Sequence, residues 1–125
     1  MSTIQGPVIS IARTANADLS SSQYFAVKPD TAEGDVVLAG AGELALGILQ
    51  NTPISAELAD VAVEGSFSKA KAGGTISEGN LLKVDAAGKL IATTTADDIY
   101  VARALQDAVT DDVFSVQVTV GYQSV

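Results

Sequence analysis

The chain has no cysteine and no histidine among its 125 residues. The lack of cysteine excludes disulfides, thiol nucleophiles and thiolate metal sites. The lack of histidine removes the commonest general base and the commonest transition-metal ligand, and with them any serine–histidine–aspartate triad. We therefore expect no catalytic residues, no cofactor and no bound metal, so that the chain is not an enzyme.

Aromatic residues are also scarce, at 5% of the chain, although 47% of the residues are apolar. The core must therefore consist of Ala, Val, Leu and Ile, whose side chains each bury little area. A monomer with such a core has modest stability, which an oligomer would increase. No apolar run approaches the roughly 20 residues that span a bilayer, and no signal peptide is recognisable, so we expect one domain without membrane contact.

Basic residues are outnumbered, with 7 Lys and Arg against 15 Asp and Glu, which gives a net charge of -8. This surface would repel a phosphate backbone, so we expect no nucleic-acid partner. The charge is uneven, because residues 1–27 carry only Arg13 and Asp18. A neutral leading segment on an acidic body is typical of an uncharged contact arm.

The sequence does contain many short apolar runs that are separated by turn residues. In residues 113–120 apolar and polar side chains alternate, which is the period of a half-buried strand. No long stretch has a helical period. We predict an all-β fold, a small antiparallel β-barrel or β-sandwich with short hairpins. Residues 99–105 fit a strand or a short helix, with a strand favoured, and residues 55–60 fit one helical turn, the only helix we expect.

Turn residues also predict how the strands are connected. Residues 34–39 and 43–49 predict a hairpin with a glycine-rich connection, and residues 81–84 and 89–92 predict another. Residues 61–67 alternate and predict one strand.

A weak internal echo supports two similar hairpin units in a small barrel or sandwich, although simple turn chemistry would produce the same echo. The matching pairs are residues 34–37 with 79–82, 42–44 with 88–90, and 49–51 with 105–107.

Residues 1–22 predict an extended N-terminal arm that is distinct from a β-rich domain over residues 23–125. The segment contains strand-forming residues between the breakers Gly6-Pro7 and a serine run at residues 20–22. A frayed terminus is the alternative. If the arm orders on a partner, the candidate contact residues are Val8, Ile9, Ile11 and Arg13.

No residue pattern indicates reactive chemistry. The adjacent aspartates at residues 97–98 and 111–112 lack the spacing of a calcium loop and fit turns on a solvated surface. The glycines at residues 40–42 and 73–74 lack the lysine and the following helix of a phosphate-binding loop, so they fit turns. Ser68 and Lys69 would point to opposite faces of a strand.

The order of these pieces resembles that of the small capsid decoration, or cement, proteins of tailed bacteriophages, including the family once labelled phage recombinase-like. The recombinase label finds no support, because the chain has no Walker A sequence and no basic stripe. The chain departs from the family pattern at Ala102-Arg103, where a glycine is common. The resemblance extends over residues 24–120, and its motifs lie at residues 47–53, 61–65, 72–80 and 85–89.

The resemblance implies a structural virion protein that binds the outer surface of a phage head and stabilises the shell against internal DNA pressure. It implies the major capsid protein as partner, and a homotrimer at threefold and quasi-threefold positions beside neighbouring decoration subunits. The expected location is the outer surface of the capsid. Two alternatives stay open, a receptor-binding or fibre-base module of the same virion, and an enzyme if a deep pocket with convergent polar groups exists.

Overall fold

The computed structural model describes residues 7–93 and 98–122, and every regular element in these ranges is a β-strand. The predicted all-β fold is confirmed. Within the same ranges no helix is long and apolar enough to span a membrane. The strands are β1 (Ser10–Ala15), β2 (Ala26–Pro29), β3 (Asp35–Leu38), β4 (Gly47–Leu49), β5 (Leu58–Ala62), β6 (Phe67–Lys71), β7 (Leu81–Val84), β8 (Leu90–Ala92), β9 (Ile99–Ala104) and β10 (Val113–Tyr122).

The first five strands form a closed barrel in the order β1-β3-β2-β4-β5. Strand β1 closes it, since it runs antiparallel to β5 with Ser10 opposite Ala62 and parallel to β3 with Thr14 opposite Asp35. Closure leaves no free strand edge in this unit, so its backbone hydrogen bonds are made internally.

The last five strands form a sheet in the order β6-β10-β9-β7-β8. A parallel bridge between Ala72, just after β6, and Leu90 in β8 joins the two outer strands of that sheet. When β6 to β10 replace β1 to β5, the two pairing orders are the same, including the parallel contact at the closure. The chain therefore contains one five-stranded topology twice in tandem.

Individual hydrogen bonds repeat in the same way. The amide of Ala15, at the end of β1, donates to the carbonyl of Glu57 at 2.9 Å, and the amide of Ala72 donates to Asp112 at 2.8 Å. The sequence echo anticipated a duplication but in another register. It matched β3 with β7, whereas the topology makes β3 equivalent to β8.

Two clusters of small aliphatic side chains form the core. The smaller lies inside the first barrel, and the larger fills the second unit and extends onto the outside of β2 and β4. Two neighbouring residues of β4 pack in different clusters, Ile48 in the larger and Leu49 in the smaller. Phe114 is the only aromatic residue among the buried side chains of the described chain. Strand β4 thus lies between the two clusters and contributes a buried side chain to each.

Some predicted pairings are confirmed and others are wrong. The hairpin of residues 81–84 and 89–92 is β7 and β8, and residues 99–105 contain strand β9. The hairpin predicted from residues 34–39 and 43–49 does not form, because β3 pairs with β2 and β1 while β4 pairs with β2 and β5. The glycine-rich stretch between them is a crossing connection.

The single strand predicted over residues 61–67 is also wrong. Strand β5 ends at Ala62, a turn follows at Glu64 and Gly65, and β6 starts at Phe67. Gly65 has φ +96°, which glycine adopts without strain, so the alternating pattern continues across a reversal of the chain. The helical turn predicted at residues 55–60 is a turn followed by the start of β5.

The segment predicted as an arm contributes a barrel strand. Strand β1 pairs along its length with β5, and both Ala15 and Leu19 are buried in the smaller core cluster. Its neutral, small side chains suit a position between two strands of a narrow barrel. The structure therefore differs from an arm ending at residue 22, and the division at that residue remains a prediction about the chain in solution.

The barrel position of β1 generates a stability prediction. Ala15→Asp places a carboxylate in an apolar cluster at a site that is 1% exposed, so we expect a loss of about 3 kcal/mol or more in the free energy of unfolding. Ala17→Asp, at an exposed position of the same segment, is the control with a change within about 0.5 kcal/mol. Urea unfolding of free protein measures both. Equal stability of the two variants would mean that β1 is a loosely held arm.

Candidate partner-binding surfaces

The carboxylates considered for reactive chemistry have structural partners. Asp111 forms an ion pair with Lys89 at 2.6 Å, and the Asp112 carboxylate accepts the amide of Val109 at 3.0 Å. Asp98 pairs with Lys83 at 3.2 Å, whereas its neighbour Asp97 lies outside the described residues. In residues 7–93 and 98–122 no group of three or more acidic side chains is placed to hold a metal ion.

The serine and lysine adjacent on β6 are also separated by their contacts. The hydroxyl of Ser68 is buried and accepts a hydrogen bond from the Gln50 side chain at 2.8 Å. Lys69 points elsewhere, with Nζ 6.0 Å from the ring centroid of Tyr24. This pair does not form a nucleophile with its base.

The four predicted contact residues precede or lie in β1, and the three apolar ones differ in exposure. Val8 and Ile11 are half-buried, and Ile11 packs against the smaller core cluster. Ile9 is 56% exposed although its backbone is held firmly. Its amide donates to the Ser66 hydroxyl at 2.8 Å, and its carbonyl accepts from the Val63 amide at 2.9 Å. Ile9 is therefore an apolar side chain displayed at a fixed position.

Arg13, the fourth predicted contact residue, is exposed and lies apart from Ile9 at one mouth of the barrel. It borders a cavity of about 280 Å³ together with Glu33 and Asp35. The positive charge of Arg13 partly offsets the negative charges of Glu33 and Asp35 at this mouth of the barrel. Pro29 and Leu46 line both this cavity and an apolar groove on the other side of them, so the charged location adjoins an apolar one.

An apolar groove lies next to the Ile9 segment. It is at the end of the barrel where β2 and β5 finish and β4 begins. It has a volume of about 360 Å³, and Leu44 at its rim is 56% exposed. Val63, whose amide binds the carbonyl of Ile9, is part of its wall. Glu64 is its one charged residue. The lining residues of this groove are Pro29, Leu44, Ala45, Leu46, Val63, Glu64 and Val120.

The opposite ends of the same strands carry the tip loops, which we define as residues 53–58 between β4 and β5 and residues 108–113 between β9 and β10. Each tip loop exposes two aliphatic side chains. Ile54 and Leu58 are 52% and 63% exposed, and Val109 and Val113 are 57% and 39% exposed. These four residues make up most of the large apolar side chains exposed in the described chain.

A depression of about 570 Å³ borders the second tip loop and extends to Thr52, which shortly precedes the first tip loop. Thr52 and Val113 border it from either side, and its lining includes Lys71 and Lys89 with a single carboxylate, that of Asp111. Lys89 also stands 5.9 Å from the ring centroid of Phe25, within the range of a cation–π contact. The depression is locally cationic on a chain whose net charge is -8.

Hydrogen bonding shifts the titration of several exposed carboxyl groups. The Lys89 ammonium hydrogen-bonds Asp111 and, by its charge, adds to holding the pKa of that carboxyl below its usual value, while the same bond raises the pKa of Lys89. Lys28 and the Gly40 amide act similarly on Glu43 and lower its pKa. Near neutral pH the carboxyl and ammonium groups of these pairs are charged, and their hydrogen bonds stabilise the loops that contain them.

The sequence pattern indicated neither the groove nor the tip loops. Strand patterns assign apolar residues to a buried face, and Ile54 and Val109 lie in loops where such patterns are silent. A comparison of the two halves of the chain in the correct register would have aligned them.

The fold and these surfaces define a class of protein. In the described residues the chain is an all-β module whose conspicuous surface features are a groove and loops fit to contact other proteins. The solved structure of the head fiber gp8.5 N base of bacteriophage phi29 is similar, with a TM-score of 0.73 and 13% identity over 90% of this chain and 95% of that one. That likeness shows a shared fold. No curated protein matches the chain.

The sequence model of the phage cement protein family matches residues 5–120, and the chain belongs to that family. It is a structural protein of the virion that binds the outer surface of the phage head and stabilises the capsid shell. The resemblance seen in the sequence is confirmed.

The Lys89–Asp111 pair generates a prediction about acid. Because the pKa of Asp111 is lowered in the folded state from its usual 3.8, its stabilising effect is present above that value and is lost as pH falls through the folded pKa. We expect the melting temperature to fall between about pH 5 and about pH 2, and to fall less in Asp111→Asn. Calorimetry across this range is the measurement, and parallel curves for the two proteins would contradict it.

Proposed function

We propose that the chain decorates the phage head as a homotrimer that contacts the major capsid protein directly and has no catalytic activity. The family membership and the two apolar surfaces support this proposal, and the absence of histidine and cysteine supports the lack of catalysis. The observation that carries the trimer is the groove beside Ile9 and Leu44.

Charge limits where two copies can meet. Each copy carries a net charge of -8, so copies repel each other over most of their surface. The groove has one charged residue, Glu64, among seven lining residues, so it carries little charge and is mostly apolar. Contact between copies is therefore favoured at this end of the molecule.

The chain carries two different apolar features at this end. One is the groove, with Leu44 in its wall, and the other is the side chain of Ile9 beside it; both residues are 56% exposed. If a protruding side chain of one copy enters the groove of the next, the contact is head-to-tail, and a threefold rotation closes it into a ring. The segment over residues 1–22 would then act in partner contact through Val8 and Ile9, while Arg13 stays at the barrel mouth.

The variant Leu44→Asp tests this contact on heads that lack the protein. Loss of a buried leucine contact and burial of a charge should weaken assembly on the head at least about tenfold, which corresponds to about 1.4 kcal/mol. Cosedimentation measures bound protein, and chemical crosslinking of bound protein measures trimers. Ala41→Asp adds the same charge at an exposed position of the same connection and should behave as wild type.

Crosslinked trimers of Leu44→Asp in normal yield would show that the groove is not the contact between copies. Failure of the wild-type protein to bind heads would remove the proposal altogether.

A second candidate function is the base of a head fibre on the same virion. The similarity of fold to the phi29 head fiber base favours it, since both chains are covered almost completely. Electron microscopy of intact virions separates the two functions. Fibres that rise from the sites occupied by this protein would support a base, and flat caps would support a cement protein alone.

A further inference from the structure

The duplication gives the chain the same loop twice, and the two copies agree in detail. In the first tip loop the amide of Ile54 donates to the Glu57 carboxylate at 2.9 Å, and in the second the amide of Val109 donates to the Asp112 carboxylate at 3.0 Å. The residue before each acid is in the left-handed region, with φ +73° at Ala56 and +70° at Asp111. The two loops therefore hold equivalent backbone shapes.

The equivalent positions also expose the same kind of side chain. Ile54 corresponds to Val109, and Leu58 corresponds to Val113, so each loop presents two aliphatic residues with their exposed fractions between 39% and 63%. The residues between them differ, since Ala56 in one loop corresponds to an aspartate in the other. The two halves have diverged in these loops and have kept exposed aliphatic residues that the core does not use.

The surface beside the loops adds charge to this pattern. The depression that Thr52 and Val113 border contains Lys71 and Lys89 with one carboxylate, although the chain as a whole is strongly acidic. A complementary partner therefore has acidic groups that lie beside two apolar pockets. The proposed contact with a second copy of this chain uses the groove, at the opposite end of the strands.

We propose that the tip loops are two equivalent anchors that insert into the same type of apolar pocket on two neighbouring subunits of the capsid shell. This rests on the proposed function. A shell built from many copies of one protein displays each pocket repeatedly, which matches a chain that displays each anchor twice. Two linked contacts bind far more tightly than one, because the second forms at a high effective concentration.

The arithmetic of two anchors gives a distinct signature. Removing either anchor leaves the affinity of the other alone, so Ile54→Asp and Val109→Asp should each weaken binding to heads by about 100-fold or more, to similar extents. The double variant should show no measurable binding. Ala32→Asp and Ala87→Asp are matched controls, since they add the same charge at exposed positions of the β2–β3 and β7–β8 turns, outside both tip loops, and we expect wild-type affinity for both.

The experiment uses the full chain and heads that lack it, with Kd from cosedimentation and the melting temperature of each variant as a check on folding. Ile54→Ala and Val109→Ala repeat the test without an added charge and should each weaken binding in the same direction. Comparable losses for the two single variants support the proposal. Wild-type affinity of the single variants, or a loss for one loop only, overturns it.

Two further outcomes separate this proposal from the function on which it rests. If tip-loop variants bind heads normally but fail to form crosslinked trimers, the loops contact other copies of the chain and the proposal is wrong. If wild-type protein does not bind heads, the proposed function fails and the anchors fail with it.

Discussion

Each five-stranded unit of this protein depends on its own first strand to close it. In the first unit β1 pairs with both β3 and β5 and closes a barrel, and in the second, a five-stranded sheet, a single bridge from Ala72 to Leu90 joins the two outer strands. Small core side chains fill only a narrow space, so neighbouring strands must approach closely. Gly47 illustrates this, because a Cβ there would overlap the carbonyl of Ala62 on the next strand. Closure makes a compact unit possible with one buried aromatic residue.

Closure also determines where contact surfaces are available. With strand edges paired, partners must bind at the ends of the strands or on the outer faces. The groove and Leu44 lie at the end of the strands where β4 begins. The tip loops and the cationic depression lie at the opposite end, where β4 finishes. Acidic side chains over the rest of the surface keep particles apart. Under the proposed function, one end would contact neighbouring copies and the other the shell, and weak contacts repeated over a lattice would add to a strong attachment.

Local patterns were enough to predict the fold class, strands β9 and β10 and the hairpin of β7 with β8. They failed wherever pairing depended on distant residues. The glycines at residues 40–42 suggested a tight hairpin, but β3 pairs with β2 because the barrel must close through β1. The neutral composition of residues 1–22 suggested an arm, and the same stretch contains β1, whose side chains are mostly exposed and whose backbone pairs with β3 and β5. Ile9 is exposed in the structure and its contact with a partner stays a prediction, whereas Ile54 and Val109 became visible only through the structural repeat.

The most direct test of the account is a cryo-electron microscopy map of heads decorated with this protein, at a resolution that traces strands. We expect three copies around each occupied threefold position, with the tip loops of residues 53–58 and 108–113 directed at the shell and the groove beside Leu44 facing a neighbouring copy. A map with isolated copies, or with the groove end of the molecule on the shell and the tip loops facing solvent, would contradict the account.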